Sequence, residues 1–340
     1  FLKKGYIYIL FSTIFFSTAE IALKMATGVF HPIQLTFLRF FIGSVVLMPI
    51  ALKGIKSRNY RLKSADFAFF ALTGFLCVVV SMILYQMAIV YAKASVVAVL
   101  FCCNPVFVIL FAFLMLHEKI YRYTIASLVV TIVGILFIMN PFHINGKPAG
   151  IILSILSAVT FALYNIVGRT RSSNFGGTAL TCFSFLFGSA ELLVLMLLTR
   201  LDGVAAFFQK SGMDNFVRIP IVRGISLGTL PSLIYAGIFV TGLGFAFYFL
   251  AMEETSAATA SLVFFIKPAL APALAFLILH ETITLNMGAG IVLMLVGSAI
   301  SLVPGFKPNK GKGLKEDLKE DLEEAGREIE AEIDETSLKP

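Results

Sequence analysis

The octapeptides FLMLHEKI (residues 113–120) and FLILHETI (residues 276–283) each close a long apolar run, and they lie 163 positions apart. At this offset 12 of 36 positions are identical between 85–120 and 248–283. An offset of 145 aligns the parts of the chain that precede these two stretches: Gly5 with Gly150, Phe16 with Phe161, Lys24 with Arg169, and Gly43-Ser44 with Gly188-Ser189. Loops accept insertions readily, so a longer loop at about 200–227 explains the change of offset. The chain therefore reads as one unit written twice.

The composition is that of a membrane protein. The 340 residues are 58% hydrophobic and 14% charged, with a mean hydropathy of +0.91. Apolar runs of about 20 residues can each span a hydrocarbon core of about 30 Å, and runs this continuous are helices because barrel strands alternate. Ten such runs are present: about 5–27, 31–52, 66–90, 94–116, 120–140, 148–169, 176–199, 228–251, 255–279 and 283–304. The predicted fold is all-α, with ten transmembrane helices.

The repeat divides the chain into a five-helix unit at 1–142, a second at 143–306 and a tail at 307–340. Five is odd, so the second unit must enter the membrane from the opposite side, giving inverted repeats. This plan recurs in secondary transporters, where two mirrored halves rock around a site near the midplane. The tail has leucines and isoleucines at helical spacing among many charges. We expect a charged amphipathic cytoplasmic helix, either natural or added to the natural chain.

Charge placement predicts the orientation. If the N-terminus is inside, 14 of the Lys and Arg residues in loops and flanks fall inside and six fall outside. The positive-inside rule then puts both termini in the cytoplasm of a multi-pass plasma-membrane protein. Lys3 and Lys4 before the first run resemble a signal peptide, but that run is too long and carries Glu20. The scattered cations do not form a nucleic-acid patch.

Charges deep in the membrane need a reason, because each costs about 2.5–3.5 kcal/mol at a helix centre. Arg39, Glu20, Glu191 and Lys267 qualify. These four residues could form two ion pairs with a purely structural role, and this interpretation fits Arg39 and Glu191 best. Glu20 could equally pair with Lys24 one turn away. Otherwise Glu20 would bind a substrate ammonium or take a coupling proton.

Lys267 is the sharper candidate. It precedes Pro268, and the missing amide of a proline leaves a carbonyl free and kinks the helix. Its partner in the repeat is Asn104, followed by Pro105, so the two halves differ in charge at this point. A kinked helix with a deep cation is suited to binding an anion, although Lys267 could instead pair with Glu20 or Glu191.

The other predicted substrate contacts lie close to these residues in the repeat. Glu20 aligns with Asn165. The aromatic pairs Tyr85/Tyr248 and Phe101/Phe264 also align, and the phenylalanines lie three residues before Asn104 and Lys267. We expect these aromatics either to line a pocket or to fill the core.

The paired His117-Glu118 and His280-Glu281 lie at the ends of the fourth and ninth runs. Neither pair belongs to a zinc-binding H-E-x-x-H motif. A tight turn or a gate-closing contact is the expected role. The four cysteines lie in apolar runs without metal-type spacing, and no cofactor motif is present, so we predict neither a metal nor a cofactor.

These features together resemble the EamA family of the drug/metabolite transporter superfamily: two five-helix halves, a helix-ending His-Glu after the fourth and ninth helices, and a proline within each of those helices. The resemblance covers about residues 5–304. It implies a ten-helix exporter or exchanger of small metabolites, often amino acids, with relatives that carry nucleotide sugars, sugar phosphates or nucleosides. Arg39 looks like the arginine often found in the second helix of this family, which implies a structural or gating role.

The resulting hypothesis is a secondary active transporter of a small polar metabolite working by alternating access, not an enzyme. An amino acid fits best: Lys267 would bind the carboxylate, Glu20 the ammonium, and the aromatics the side chain. A phosphorylated or nucleotide-like anion bound by Lys267 and Arg39 is the alternative. A channel or a non-transporting scaffold is the alternative class. The sequence has no ATP-binding motif, so an ion gradient or substrate exchange should supply the energy. The expected partners are the small-molecule substrate and the lipid bilayer, not nucleic acid.

Overall fold

The computed structural model describes residues 2–117, 122–139, 148–254, 260 and 262–306. Within these ranges the chain is helical, with an isolated β-bridge between Thr27 and Phe30 and no strand. The longer described helices are numbered α1 to α10 in chain order, and a helix interrupted by a bend, a turn or a π-helical segment keeps one number. Short helices at Ser172–Phe175, Asp202–Lys210 and Asp214–Phe216 lie in the connections and are not numbered. The helices are α1 (Leu2–Ser17 and Ala19–Ala26), α2 (Pro32–Ser57), α3 (Ser64–Gly74, the π-helical Phe75–Ser81, and Met82–Tyr91), α4 (Ala94–Phe101 and Asn104–Leu116), α5 (Arg122–Met139), α6 (Pro148–Arg169), α7 (Gly177–Leu198), α8 (Leu230–Ile234, the π-helical Tyr235–Leu243, and Gly244–Glu254), α9 (Leu262–Leu279) and α10 (Leu285–Phe306).

Within the described residues, seven helical stretches are long and apolar enough to cross a membrane: Lys4–Ala26, Pro32–Ser57, Ser64–Tyr91, Ala94–Leu116, Pro148–Arg169, Gly177–Leu198 and Leu230–Met252. Three shorter apolar helices lie at Ile125–Ile138, Ile266–Leu279 and Leu285–Gly297. The predicted all-α membrane fold is thereby confirmed. Ten membrane crossings in an inverted repeat stay a prediction.

Residues 1–301 form one compact unit, and residues 302–340 form a second. Of the second unit only the end of α10, to Phe306, is described. The predicted boundary at 142/143 and the predicted tail at 307–340 lie outside the described residues.

Four of the described helices are interrupted: α1 by a bend at Thr18, α4 by a turn, and α3 and α8 by π-helical segments. In α4 the helix ends at Phe101 and restarts at Asn104, directly before Pro105, which cannot donate an amide hydrogen bond. In α9 the helix continues through Pro268 and Pro272. The kink expected beside Lys267 stays a prediction, while its repeat partner Asn104 begins the second segment of α4. The π-helical segments of α3 and α8 occupy comparable positions of the two halves, a feature that the hydropathy pattern does not reveal.

The two halves pack chiefly on each other. Helix α2 lies against α7 and α8, α3 against α6 and α7, and α1 against α8 and α9. The closest approach is at Gly74 of α3, where a Cβ atom would lie 2.5 Å from the Gly188 nitrogen and 2.6 Å from the Ser184 carbonyl oxygen. The hydroxyls of Thr73 and Ser184 are 2.8 Å apart at the same crossing. Small residues therefore let α3 and α7 touch backbone to backbone.

The described connections between the helices collect at two ends. The end formed by loops 27–31, 92–93, 199–229 and 280–284 is named here the Glu281 face. The end formed by loops 58–63 and 170–176 is the Arg58 face. Cross-loop hydrogen bonds support this grouping: Gln34 Nε2 donates to the Ile221 and Arg223 carbonyls at 2.9 and 2.8 Å, and Arg58 Nη1 donates to the Ser173 carbonyl at 3.4 Å.

His31 caps α2 on the Glu281 face. Its Nδ1 accepts from the Ile33 N–H at 3.3 Å, and the Gln34 side chain accepts from the His31 N–H at 3.4 Å. An imidazole that accepts through Nδ1 must be neutral at that nitrogen. Burial lowers the pKa of His31 below its ordinary value of 6.5, which favours the same neutral form.

Candidate substrate site

Two of the four deep charges form an ion pair. Lys267 Nζ of α9 lies 2.8 Å from Glu20 Oε1 of α1, and the two side chains are 6% and 0% exposed. The Tyr85 hydroxyl of α3 donates a short hydrogen bond to the same oxygen. Glu20 Oε2 is buried and has no hydrogen-bond partner among the described residues. The bend of α1 at Thr18 precedes Glu20 by two residues, so Glu20 lies in the first turn of the second segment of this helix.

Arg39 of α2 is not paired in this way. It is 5% exposed, and its guanidinium carbon lies 4.3 Å from the centre of the Phe40 ring. Its Nη2 donates to the Met82 sulfur at 3.4 Å, while Nε has no partner. Among the described residues, no carboxylate lies within 4.0 Å of the Arg39 guanidinium.

The other predicted ion-pair partners lie elsewhere. Glu191 is half-buried on α7, and its Oε2 has no hydrogen-bond partner in the described part of the chain. Lys24 does not pair with Glu20, because its Nζ donates to the Ile89 and Ala92 carbonyls at 2.6 and 2.8 Å. The structure therefore supplies one of the two expected buried ion pairs, between Lys267 and Glu20.

Two cavities meet at Lys267. The small cavity has a volume of about 70 Å³, and its lining includes Arg39, Phe40, Met82, Tyr85 and Lys267. The large cavity has a volume of about 360 Å³, and its polar lining includes Asn104, Tyr164, Asn165, Thr181, Tyr248 and Lys267. Both cavities are lined by the four rings of Phe101, Phe161, Phe245 and Phe264. A ligand in the large cavity would thus contact Lys267 and aromatic rings at once.

The lining residues come largely in repeat pairs. The structure brings together Phe16 with Phe161, Met82 with Phe245, Tyr85 with Tyr248, Phe101 with Phe264, and Asn104 with Lys267. Seven of the eight predicted substrate contacts line a cavity. The eighth, Glu20, lines neither cavity and is paired with Lys267. Sequence reasoning missed Phe161, Phe245 and Met82 as lining residues. Helical spacing could have found them, since each lies about one turn before a predicted contact: Phe161 before Asn165, Met82 before Tyr85, and Phe245 before Tyr248.

Hydrogen bonds on the Glu281 face join the start of α4 to the segment that follows α9. The Glu281 carboxylate accepts from the Ala94 N–H at 2.8 Å, the Ser95 N–H at 3.0 Å and the Ser95 hydroxyl at 2.5 Å. Beside it, Lys93 Nζ donates to the Thr282 hydroxyl at 2.8 Å. The C-terminal end of α9 thus caps the N-terminus of α4. This carboxylate contact is named here the Glu281 latch.

The large cavity lies toward the opposite face. Its lining residues Val108, Asn165 and Met252 belong to the parts of α4, α6 and α8 nearer the Arg58 face. The described conformation therefore combines hydrogen bonds across the Glu281 face with a cavity displaced toward the Arg58 face.

The His-Glu pairs form tight turns, one of the two roles expected of them. His117 and His280 both adopt the left-handed conformation, with φ of 56° and 54°, which ends α4 and α9. Glu281 adds the closing contact described above, whereas Glu118 lies outside the described residues. No group of three or more metal-ligating side chains is placed to hold an ion in the part of the chain that the structure describes.

Comparison with known proteins follows the division of the chain. The profile of the EamA-like transporter family matches residues 3–140 and 148–303. An uncharacterized transporter of Clostridium kluyveri is 40% identical over 316 residues, covering 91% of this chain and 96% of that protein. The protein PagO of Salmonella typhimurium is 25% identical over 307 residues, covering 89% of this chain and 94% of that protein. A solved crystal structure, 16% identical with a TM-score of 0.61, covers 90% of this chain and shares its fold. The chain belongs to the EamA-like transporter family, and the resemblance to the drug/metabolite transporter superfamily is confirmed.

Proposed function

We propose that this protein is a secondary active transporter of a small polar metabolite that works by alternating access between its two halves. The observation that carries the proposal is the cavity at Lys267, which is lined by repeat pairs from both parts of the chain, while the Glu281 latch joins those parts on one face. A volume of about 360 Å³ lies within the range of about 300–1,000 Å³ typical of small-molecule sites.

Alternating access requires two arrangements of the same halves around one site. In the described arrangement the Glu281 latch joins α4 of the first half to α9 of the second. The second arrangement would break the latch and close the Arg58 face. Glu118, the repeat partner of Glu281, is the residue from which we expect the mirrored contact.

An amino acid is the substrate class that we favour. Lys267 uses one of its three N–H groups on Glu20, so the others can bind a carboxylate in the large cavity. The unpartnered Glu20 Oε2 can accept from an ammonium group if the pair opens. The rings around Lys267 would pack against the substrate side chain. A phosphorylated anion is the second candidate, because Arg39 supplies another cation beside Lys267.

The membrane orientation is part of the proposal. With both termini in the cytoplasm of a plasma-membrane protein, the Arg58 face would be cytoplasmic and the large cavity would lie toward the cytoplasm. An ion gradient or exchange of substrates would supply the energy. The named relatives are transporters, and we propose no catalytic reaction for the site.

Counterflow in proteoliposomes tests the proposal. Vesicles loaded with unlabelled substrate should accumulate labelled substrate transiently, with a saturable initial rate. Flux that rises linearly with concentration would indicate a channel, and an absence of flux for every metabolite class would indicate a scaffold. Empty liposomes measure the leak.

A further inference from the structure

We propose that Arg39 binds the anionic group of the substrate, and that the substrate carries a net negative charge. This inference rests on the proposed transport function and specifies its ligand. The group recognised is an oxyanion, either a carboxylate or a phosphoryl group. Among amino acids an acidic one fits, because its two carboxylates and one ammonium group give it a net charge of −1.

The charge of the site carries the argument. Lys267 and Glu20 are joined at 2.8 Å, so their charges cancel. Arg39 is 5% exposed and has no carboxylate within 4.0 Å among the described residues. The site therefore has a net charge of +1 when empty. A zwitterion of zero net charge would leave that charge uncompensated, whereas a monoanion would neutralise it.

A buried arginine without a counterion needs an explanation. Buried charges in proteins are almost always paired, because removing an ion from water is costly. Arginine cannot avoid this cost by losing its proton. The contacts that Arg39 makes, with a ring face and a thioether sulfur, are weak substitutes for an anion. Its unpartnered Nε is a free donor in the buried site.

The position of Arg39 fits this role. It lines the small cavity, whose volume of about 70 Å³ cannot hold a whole metabolite. The small cavity meets the large one at Lys267 and the shared phenylalanine rings. A substrate in the large cavity could therefore extend only its anionic group past Lys267. The planar guanidinium is suited to binding the two oxygens of a carboxylate or phosphoryl group.

The alternative is a purely structural arginine, and the two readings predict opposite changes in the empty protein. A structural Arg39 stabilises the empty protein through Phe40 and Met82, so Arg39→Gln should lower its melting temperature. A ligand-binding Arg39 is an uncompensated charge in the empty protein. In that case Arg39→Gln should leave the melting temperature unchanged or raise it.

The experiment is a thermal-shift titration of the full chain in nanodiscs at constant ionic strength, with potassium chloride as the reference salt. The probes are L-glutamate with its neutral isostere L-glutamine, and acetate and inorganic phosphate as minimal oxyanions. The variants are Arg39→Gln and Arg39→Lys. The control is Arg218→Gln, which removes an arginine whose side chain is 66% exposed, far from both cavities.

We expect L-glutamate to stabilise the wild type more than L-glutamine does. In Arg39→Gln the Kd of the stabilising oxyanion should rise roughly 10- to 100-fold, the loss typical of a charge-assisted hydrogen bond. Arg39→Lys should fall between the two proteins, and Arg218→Gln should match the wild type. Stabilisation by phosphate alone would assign a phosphoryl group, and stabilisation by the carboxylates would assign a carboxylate.

Several results would overturn the inference. One is a wild type that shows no preference for oxyanions over L-glutamine and chloride. Another is Arg39→Gln with undiminished anion stabilisation, and a third is Arg39→Gln with a lowered melting temperature when empty. Saturable counterflow of neutral but not of anionic metabolites by the wild type would overturn the inference and leave the transport function standing. Arg39-dependent anion binding without counterflow would support the site and remove the transport function.

Discussion

Glu281→Ala should shift the protein away from the conformation in which the Glu281 face is closed. The carboxylate accepts three hydrogen bonds, at 2.8, 3.0 and 2.5 Å, from Ala94 and Ser95. A hydrogen bond to a charged group contributes about 1.5–3 kcal/mol when buried, and loss of a helix N-cap costs about 1 kcal/mol. Glu281 is half-buried, so water replaces part of what is lost. We therefore expect the closed conformation to lose about 2–3 kcal/mol, a population shift of roughly 30- to 140-fold.

Hydrogen–deuterium exchange in nanodiscs measures this shift on both faces at once. Exchange of the 94–95 amides will rise simply because their acceptor is gone, so the informative segments lie elsewhere. Segments 31–36 and 219–223 are joined across the Glu281 face by the Gln34 side chain, and their exchange should increase. Segments 162–169 and 245–252 border the large cavity, and their exchange should decrease as the Arg58 face closes.

Two variants serve as controls for this experiment. Glu281→Gln keeps an acceptor without the charge and should give a smaller change in the same direction. Lys93→Gln removes only the exposed contact with Thr282 and should leave both faces nearly unchanged. Increased exchange confined to 92–96, with both faces otherwise as in the wild type, would mean that the latch is only a helix cap.

Three further predictions concern stability. Lys267→Met should lower the free energy of unfolding by about 3–5 kcal/mol because it leaves a buried carboxylate unpaired, and adding Glu20→Gln should recover most of this loss. Equal melting temperatures for the single and double variants would contradict the pairing. Gly74→Ala should lower the free energy of unfolding by at least about 1–3 kcal/mol, because the added Cβ atom would lie 2.5 Å from the Gly188 nitrogen. Gly54→Ala, where an added Cβ atom meets nothing within 4 Å, should be neutral or stabilising by up to about 1 kcal/mol. Similar melting temperatures for these two variants would refute the close crossing. Because burial lowers the pKa of His31, the stability that its neutral imidazole adds by capping α2 should be complete above about pH 6.5 and decline as the pH falls below that value. His31→Ala should abolish this part of the pH dependence, measured by thermal unfolding from pH 5 to 8.

The sequence predicted much of the site because the repeat carries positional information. Once Tyr85 aligns with Tyr248 and Asn104 with Lys267, residues at equivalent depths of the two halves are known. Helical periodicity and hydropathy likewise predicted which segments are helices.

The sequence could not predict which residues would become partners across the two halves. The Glu281 latch joins residues 187 positions apart, and nothing in the pattern around Ala94 indicates a carboxylate partner. Lys24 has a carboxylate, that of Glu20, one turn away on its own helix. Its ammonium group nevertheless donates to backbone carbonyls at the end of α3. That no described carboxylate lies within 4.0 Å of Arg39 depends on how the helices pack, which the sequence pattern does not define.

Labelling of a single cysteine from each side of the membrane tests the central claim most directly. Met252→Cys would place a thiol in the large cavity, in a background where Cys77, Cys102, Cys103 and Cys182 are replaced by alanine. Ser57→Cys and Leu227→Cys, exposed near the Arg58 and Glu281 faces, report the sidedness of the vesicles. A membrane-impermeant thiol reagent should modify Met252→Cys rapidly from the Arg58 face and slowly from the Glu281 face. Equal rates from both sides would indicate an open channel, and no reaction from either side would contradict a cavity accessible from one face.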